Sequence, residues 1–113
     1  MGYRSQVGLI FTHDLLPYFL MKVSAKHRES LSEWAEMWEL PEKDGDIARI
    51  HFNWVKWYPD YPEVQAIEEA LSFFQELDRR EEFAFVRLGE ELGDDEELGH
   101  LDGLYIHRSI EFN

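Results

Sequence analysis

In "HFNWVKWYPDYPEV", residues 51–64, two Trp, two Tyr and one Phe surround a single Lys. This stretch overlaps the segment "IARIHFNWVKWY" (47–58). If this segment is a strand, its apolar residues lie on both faces. A strand that is apolar on both sides belongs inside a sheet, with helices covering at least one face. Pro59 ends the strand, and Pro62 lies in the first turn of a helix predicted over 62–78. We therefore interpret the aromatic cluster mainly as strand, turn and helix start, rather than as a binding surface.

The same repeat assigns the aromatic residues to faces of this strand. Trp57 falls on the face opposite to the one shared by Ala48, Ile50, Phe52, Trp54 and Tyr58. After the strand, Asp60 and Glu63 match a D-x-x-E helix cap. The sequence thus predicts a core strand that leads directly into an amphipathic helix.

The flanking segments predict a small α/β domain of the α+β kind. A first strand over 3–12 precedes a short helix within 14–23. A second helix is predicted from a capping box at Ser30 and Glu33. Its apolar stripe comprises Leu31, Trp34, Ala35 and Trp38. A strand over 81–89, an acidic loop over 90–103 and a final strand over 104–112 complete the order β-α-α-β-α-β-β. This order predicts a single domain, a two-layer sandwich with about three helices on a mixed four-stranded sheet, in which the last two strands are antiparallel neighbours.

Composition limits the compartment and the chemistry. The 113 residues contain no cysteine, which excludes disulfides, thiolate metal sites and a Cys nucleophile, and suits a reducing compartment. No apolar run approaches the roughly 18–20 residues of a membrane span. The start, "MGYRSQVGLIF", has no charged segment followed by an apolar one, so no signal peptide is predicted. These features predict a cytoplasmic protein without a membrane partner.

Charge is the most unusual global property of the chain. There are 24 acidic residues and 11 basic ones, a formal net charge of −13. Residues 1–31 carry four bases and two acids, whereas residues 32–113 carry the other 7 bases and 22 acids. Direct nucleic-acid binding is disfavoured, because its affinity comes largely from Lys and Arg on phosphates. A protein partner with a basic surface is the better hypothesis, self-association is a second, and acidity that serves solubility alone is the plain alternative.

The candidate partner-binding residues are mostly acidic and occupy two segments. The acidic loop supplies Glu90, Glu91, Asp94, Asp95, Glu96 and Glu97. The predicted third helix supplies Glu63, Glu68, Glu69 and Glu76. Two aromatic residues, Trp38 and Tyr61, are candidate exposed anchors.

Recognisable catalytic or ligand-binding motifs do not occur. The five histidines form no H-E-x-x-H pair, and there is no P-loop, G-x-G-x-x-G or nucleophile elbow. The acids of the loop are contiguous and out of register for a calcium loop, and "DGD" at 44–46 is interpreted as a turn. The sequence therefore predicts no metal, no cofactor and no catalytic residue. An enzyme whose site forms only in the folded chain is the remaining alternative.

Three segments carry a resemblance to other proteins: "MGYRSQVGLIF" (1–11), "WVKWYPDYPEVQAIEE" (54–69) and "FAFVRLGEE" (83–91). Together they resemble a family of small uncharacterised bacteriophage and prophage proteins, whereas residues 12–46 have no counterpart in the resemblance. The resemblance implies a phage origin, a bacterial host cytoplasm and an accessory role in binding a host component. It implies no catalytic residues.

Two binding hypotheses follow. The first is an accessory factor that binds a host protein, for example as a counter-defence inhibitor, with help from apolar anchors. The second is a DNA mimic that occupies the groove of a host nucleic-acid enzyme. Duplex DNA carries one charge per about 1.7 Å of its axis, so a mimic needs carboxylates in ordered rows and binds with steep salt dependence.

Overall fold

The computed structural model describes residues 2–107 and 109–112. The strands are β1 (Ser5–Thr12), β2 (Met37–Glu39), β3 (Ile47–Val55), β4 (Phe83–Gly89), β5 (Asp95–Gly99), β6 (Leu104–His107) and β7 (Ser109–Phe112). The α-helices are α1 (Leu16–Lys22), α2 (Ala25–Trp34) and α3 (Pro62–Glu76), and 3₁₀ turns span His13–Leu15 and Arg80–Glu82.

The predicted α+β sandwich class is confirmed, and its sheet differs in detail. Five strands pair in the order β2-β3-β1-β4-β5, and every pairing is antiparallel. The prediction of a mixed four-stranded sheet is therefore wrong in strand number and direction. The additional strands are β2, within the predicted second helix, and β5, within the predicted acidic loop. β4 pairs with β5, not with the end of the chain as predicted.

One face of the sheet carries the main core, against the three helices. β1 directs Val7, Leu9 and Phe11 to this face, and all three are almost completely buried. Phe11 packs on Phe19 of α1, with ring centroids 4.8 Å apart, and on Phe74 of α3, at 5.7 Å. The tight ring packing holds α1 and α3 in fixed positions over the central strand.

The opposite face is covered by a hairpin of β6 and β7, in which Leu104 lies opposite Phe112. The backbone N–H of Ile110 donates to Gln6 Oε1 on β1 at 2.8 Å. Gly8 makes room for this hairpin, because a Cβ there would lie 2.9 Å from the Ile110 side chain. The single final strand predicted over 104–112 is thus wrong, since the segment contains two short strands.

Helix boundaries also correct two predicted caps. α2 begins after Ser24, whose hydroxyl accepts from the His27 backbone N–H at 3.3 Å, so the predicted box at Ser30 lies inside the helix. The N-cap of α3 is Tyr61, with no side-chain cap and with Pro62 in the first turn. Trp38 lies in β2 rather than on a helical stripe. Within the described residues, no helix combines the length and apolar character that crossing a bilayer requires.

A register shift changes which aromatic residues of the opening stretch face the core. Ser5 pairs with Val55 and Val7 with Phe52, so the alternation is interrupted near Trp54. Trp54 has a backbone φ of 56°, in the left-handed region that non-glycine residues rarely adopt. After this interruption Trp57 is buried and packs on Phe52, with ring centroids 5.2 Å apart. The prediction that Trp54 and Trp57 continue the strand alternation is therefore wrong.

His51 gives the fold a pH dependence. Its ring packs on Phe112 at 5.5 Å, and Nε2 is buried without a partner among the described residues. Burial lowers the pKa of His51, although Glu36, 3.7 Å from Nδ1, partly opposes the shift. The unfolded chain therefore binds the proton more readily than the folded one. The contribution of His51 to the stability of the fold is present above about pH 6.5 and is lost as the pH falls.

We therefore expect His51→Phe to flatten the dependence of the unfolding free energy on pH between about pH 5 and 7. Urea unfolding of both proteins across this range measures the effect. An unchanged slope in the variant would contradict the assignment to His51.

Candidate functional site

Two of the predicted acidic segments meet at the edge of the sheet. Glu68 is exposed on α3, at the border of the face that buries Val64, Ile67 and Leu71. Glu96 lies on the edge strand β5 and pairs in register with Arg87. Because side chains alternate along a strand, Glu96 and Leu98 project to the helix face of the sheet. Glu68 and Glu96 thereby face the same gap between helix and strand.

This gap is a groove of about 230 Å³. Glu68 and Glu96 provide its acidic groups, and Ser72 and Gln75 add neutral polar ones. The apolar lining consists of Trp57, Leu71, Phe85 and Leu98. We call this surface the acidic groove. Its volume is below the 300–1,000 Å³ of ordinary small-molecule pockets, and suits one inserted side chain better than a whole ligand.

The two carboxylates of the groove influence each other electrostatically. Desolvation by burial, followed by repulsion from Glu96, raises the pKa of Glu68. A carboxylate next to apolar side chains and a like charge gains from a cation brought between them. The groove therefore favours occupation by a positive group.

A second groove follows the other side of α3, with a volume of about 450 Å³. Glu68 and Ser72 line this groove as well as the acidic groove. Its remaining lining residues are Lys22, Gln65, Glu69, Phe73 and Glu76. The Lys22 ammonium lies 5.0 Å from the centroid of the Phe73 ring. The cation of Lys22 thus occupies the second groove, whose aromatic and acidic surface resembles that of the acidic groove.

Arg87 organises the acids between β4 and β5. Its guanidinium donates to Asp94 Oδ1 and to Glu96 Oε1, each at 2.8 Å, and to the Ser5 hydroxyl at 3.2 Å. Arg87, and secondly a hydrogen bond from the Tyr3 hydroxyl, lower the pKa of Asp94. Asp94 and Glu96 are thus held in fixed positions, and part of their charge is neutralised within the protein.

Other predicted site residues lie elsewhere. The Glu90 carboxylate accepts from the Arg4 backbone N–H, and Glu91 is exposed near Tyr3. Asp95 and Glu97 alternate with Glu96 and so project to the opposite face of the sheet. Glu63 is half-buried in the first turn of α3.

The two predicted aromatic anchors are half-buried rather than exposed. Trp38 packs against Phe19, with ring centroids 6.3 Å apart. Tyr61 packs against Trp34 at 6.1 Å and Tyr58 at 5.3 Å. Both rings are in contact with the core. Their role as partner-binding anchors stays a prediction.

Sequence reasoning missed Trp57, Arg87 and Leu98 as parts of the site. The burial of Trp57 follows from the backbone at Trp54, which has no signature in residue type. Arg87 is the single charged residue in "FAFVRLG", and this isolation could have marked it as part of the site. Leu98 is the one large apolar residue within "DDEELG", which also marks the strand.

A cluster elsewhere brings together residues that could hold a metal. His13, Asp14 and Asp44 offer ligand atoms within 4.8 Å of one another, although no metal was predicted. His13 Nδ1 lies 3.2 Å from Asp44 Oδ1, and Arg79 lies 3.5 Å from Asp14. A cation would have to compete with Arg79 for Asp14, so the arrangement is described as well by ion pairing as by metal binding.

Comparisons with protein-family models, with curated proteins and with solved structures find no match to this chain.

Proposed function

We propose that this protein is a binding factor that recognises a basic segment of a partner protein, and that the acidic groove receives one Arg or Lys side chain. The observation that carries the proposal is the meeting of Glu68 and Glu96 above an apolar floor. The resemblance of the chain to phage proteins makes a bacterial host protein the proposed partner, in the cytoplasm.

The groove fits both halves of a long basic side chain. The aliphatic stem of Arg or Lys gains from contact with apolar surface, which Trp57 and Leu98 supply. The charged end gains from the two carboxylates, and a guanidinium can donate to both at once. Because Glu96 is already oriented by Arg87, little freedom is lost when a second cation arrives.

The wider charge of the protein supports the same kind of partner. With a net charge of −13, the surface attracts basic partners over distances of about a Debye length and accelerates their association. Direct binding to nucleic acid remains disfavoured for the same reason.

The DNA-mimic alternative has weaker support. A mimic needs free carboxylates in regular rows, whereas Arg87 pairs with both Asp94 and Glu96. If duplex DNA displaced the protein from its partner, that result would favour mimicry over recognition of a single basic side chain.

A small enzyme is the second candidate, and one observation favours it. The raised pKa of Glu68 next to a second carboxylate is also the arrangement of a general acid. The enzyme hypothesis requires turnover of a substrate without a positive charge, whereas the binding proposal requires a positively charged ligand.

The Glu68→Gln variant tests the proposal by two readouts that should move in opposite directions. Since the folded protein raises the pKa of Glu68, the contribution of this group is stabilising below its unfolded pKa of about 4.5 and is lost as the pH rises. Near neutral pH the variant should therefore melt at a higher temperature than the wild type. It should also bind a capped arginine peptide about tenfold more weakly, because one ionic contact is lost.

The matched ligand is the same peptide with citrulline, which keeps the shape of arginine without its charge. The proposal expects the citrulline peptide to bind equally weakly to both proteins. Equal binding of the arginine and citrulline peptides to the wild type would overturn it, as would a Glu68→Gln variant that melts lower and binds normally.

A further inference from the structure

A different groove lies where the end of β3 meets the segment that precedes β1. Arg4, Trp34, Val55, Lys56 and Tyr61 line a volume of about 340 Å³. Arg4 also lines an adjoining volume of about 590 Å³, together with Gly2, Trp54 and Glu90. We call these two volumes the aromatic groove. Both are within the range of small-molecule sites.

The backbone at this groove is held in an uncommon conformation. The left-handed φ of 56° at Trp54 is unfavourable relative to an ordinary strand conformation. The Arg4 guanidinium donates to the Trp54 carbonyl at 3.1 Å, which fixes both residues at the groove. A glycine would adopt this conformation more readily, so the fold holds a tryptophan where glycine is the usual residue.

The groove is the positive counterpart of the acidic groove. Arg4 and Lys56 both line it, in a chain with only 11 basic residues. Among the residues that the structure describes, neither side chain forms a salt bridge with a carboxylate. The carboxylate of Glu90, which also lines the groove, accepts from the Arg4 backbone N–H.

Aromatic rings complete the lining. Trp34 meets Tyr61 edge to face at 6.1 Å, and Tyr61 packs on Tyr58 at 5.3 Å. Gly2 lies close to Tyr58 and Lys56, and a Cβ at this position would collide with the tyrosine hydroxyl. Half-buried rings beside two cations suit a ligand that has a flat ring and a negative group.

We infer that the aromatic groove binds a small anion in which a planar ring carries a phosphate or a carboxylate. The ring stacks against Trp34 and Tyr61, and the anionic group lies between Arg4 and Lys56. A longer polyanion is disfavoured, because the surrounding acidic surface repels it. The inference does not depend on the function proposed for the acidic groove.

Titration calorimetry with adenosine 5′-monophosphate and with indole-3-acetate tests the inference and separates phosphate from carboxylate. At least one of the two should bind with a dissociation constant of about 1 mM or tighter. Adenosine lacks the anion and inorganic phosphate lacks the ring, so each should bind at least about tenfold more weakly.

Lys56→Gln is the informative variant, since Lys56 is exposed and its loss leaves the core intact. It should weaken binding of the anionic probe about tenfold and leave the weak binding of adenosine unchanged. Lys43→Gln, at another exposed position, makes the same change of charge away from the groove and should have little effect.

Three results would overturn the inference. They are no binding of either probe up to about 10 mM, equal losses in the Lys56→Gln and Lys43→Gln variants, and binding of a twelve-nucleotide single strand more tightly than the monophosphate. The arginine-peptide assay in the Lys56→Gln variant separates this inference from the proposed function, because that binding should be unaffected.

Discussion

Phe11→Ala is expected to lower the free energy of unfolding by about 3–5 kcal/mol, the largest effect of any single truncation considered for this protein. Phe11 lies on the central strand β1, has no exposed surface and packs on Phe19 and Phe74. Its removal leaves a cavity at the point where α1 and α3 meet the sheet, and the neighbouring rings cannot fill it without leaving their own contacts. Since small domains have only about 5–15 kcal/mol of stability, the variant should be close to unfolding at physiological temperature.

Urea unfolding followed by tryptophan fluorescence measures the difference in midpoint. Leu92→Ala is the control, because Leu92 is 85% exposed and its loss should change stability by no more than about 0.5 kcal/mol. Equal midpoints for the two variants would contradict the core described here.

Reversing both charges of the acidic groove, in the variant Glu68→Lys with Glu96→Lys, is expected to weaken binding of the arginine peptide at least about 30-fold, or about 2 kcal/mol. Each change replaces an attraction by a repulsion, and together they remove both carboxylates that would hold the guanidinium. The two single variants should not add, since Glu68 and Glu96 influence each other in the free protein.

The control for the double reversal changes the net charge equally at acids outside the groove. Glu63→Lys with Glu97→Lys meets this requirement, because Glu63 lies at the start of α3 and Glu97 projects to the other face of the sheet. We expect a loss of only about threefold, which reflects the weaker long-range attraction. Equal losses in both double variants would mean that total charge, not the groove, determines binding.

The sequence predicts correctly those helices and strands whose residue pattern agrees with their packing in the fold. β3 and α3 were predicted because a two-sided apolar strand and a clear helical stripe adjoin at Pro59 and Pro62. The class of fold follows from these elements and the flanking strands.

The errors occur where a local pattern competes with tertiary structure. The Ser30 and Glu33 spacing matches a cap, yet Ser24 begins the helix earlier. The sequence of β5 predicts a loop because Asp and Glu are poor strand formers. At the open edge of the sheet, however, their charges disfavour pairing with a strand of another chain.

The candidate site was predicted in its residue types but not in its geometry. Both acidic segments were identified, but nothing in their order along the chain indicates that Glu68 and Glu96 share a groove while Glu97 faces away. Contacts between distant segments depend on the register of β4 and β5 and on the position of α3 above them.

The most direct test of the acidic groove is the chemical shift of the Trp57 indole N–H during titration with the arginine peptide. Trp57 lines the acidic groove, whereas Trp34 and Trp54 line the aromatic groove and Trp38 packs at the core beside Phe19. We expect a saturable shift of the Trp57 signal, with little change at the other three tryptophans and no response to the citrulline peptide. A peptide that binds while the Trp57 signal stays unchanged, or that shifts Trp34 and Trp54 instead, would show that the acidic groove is not the binding site.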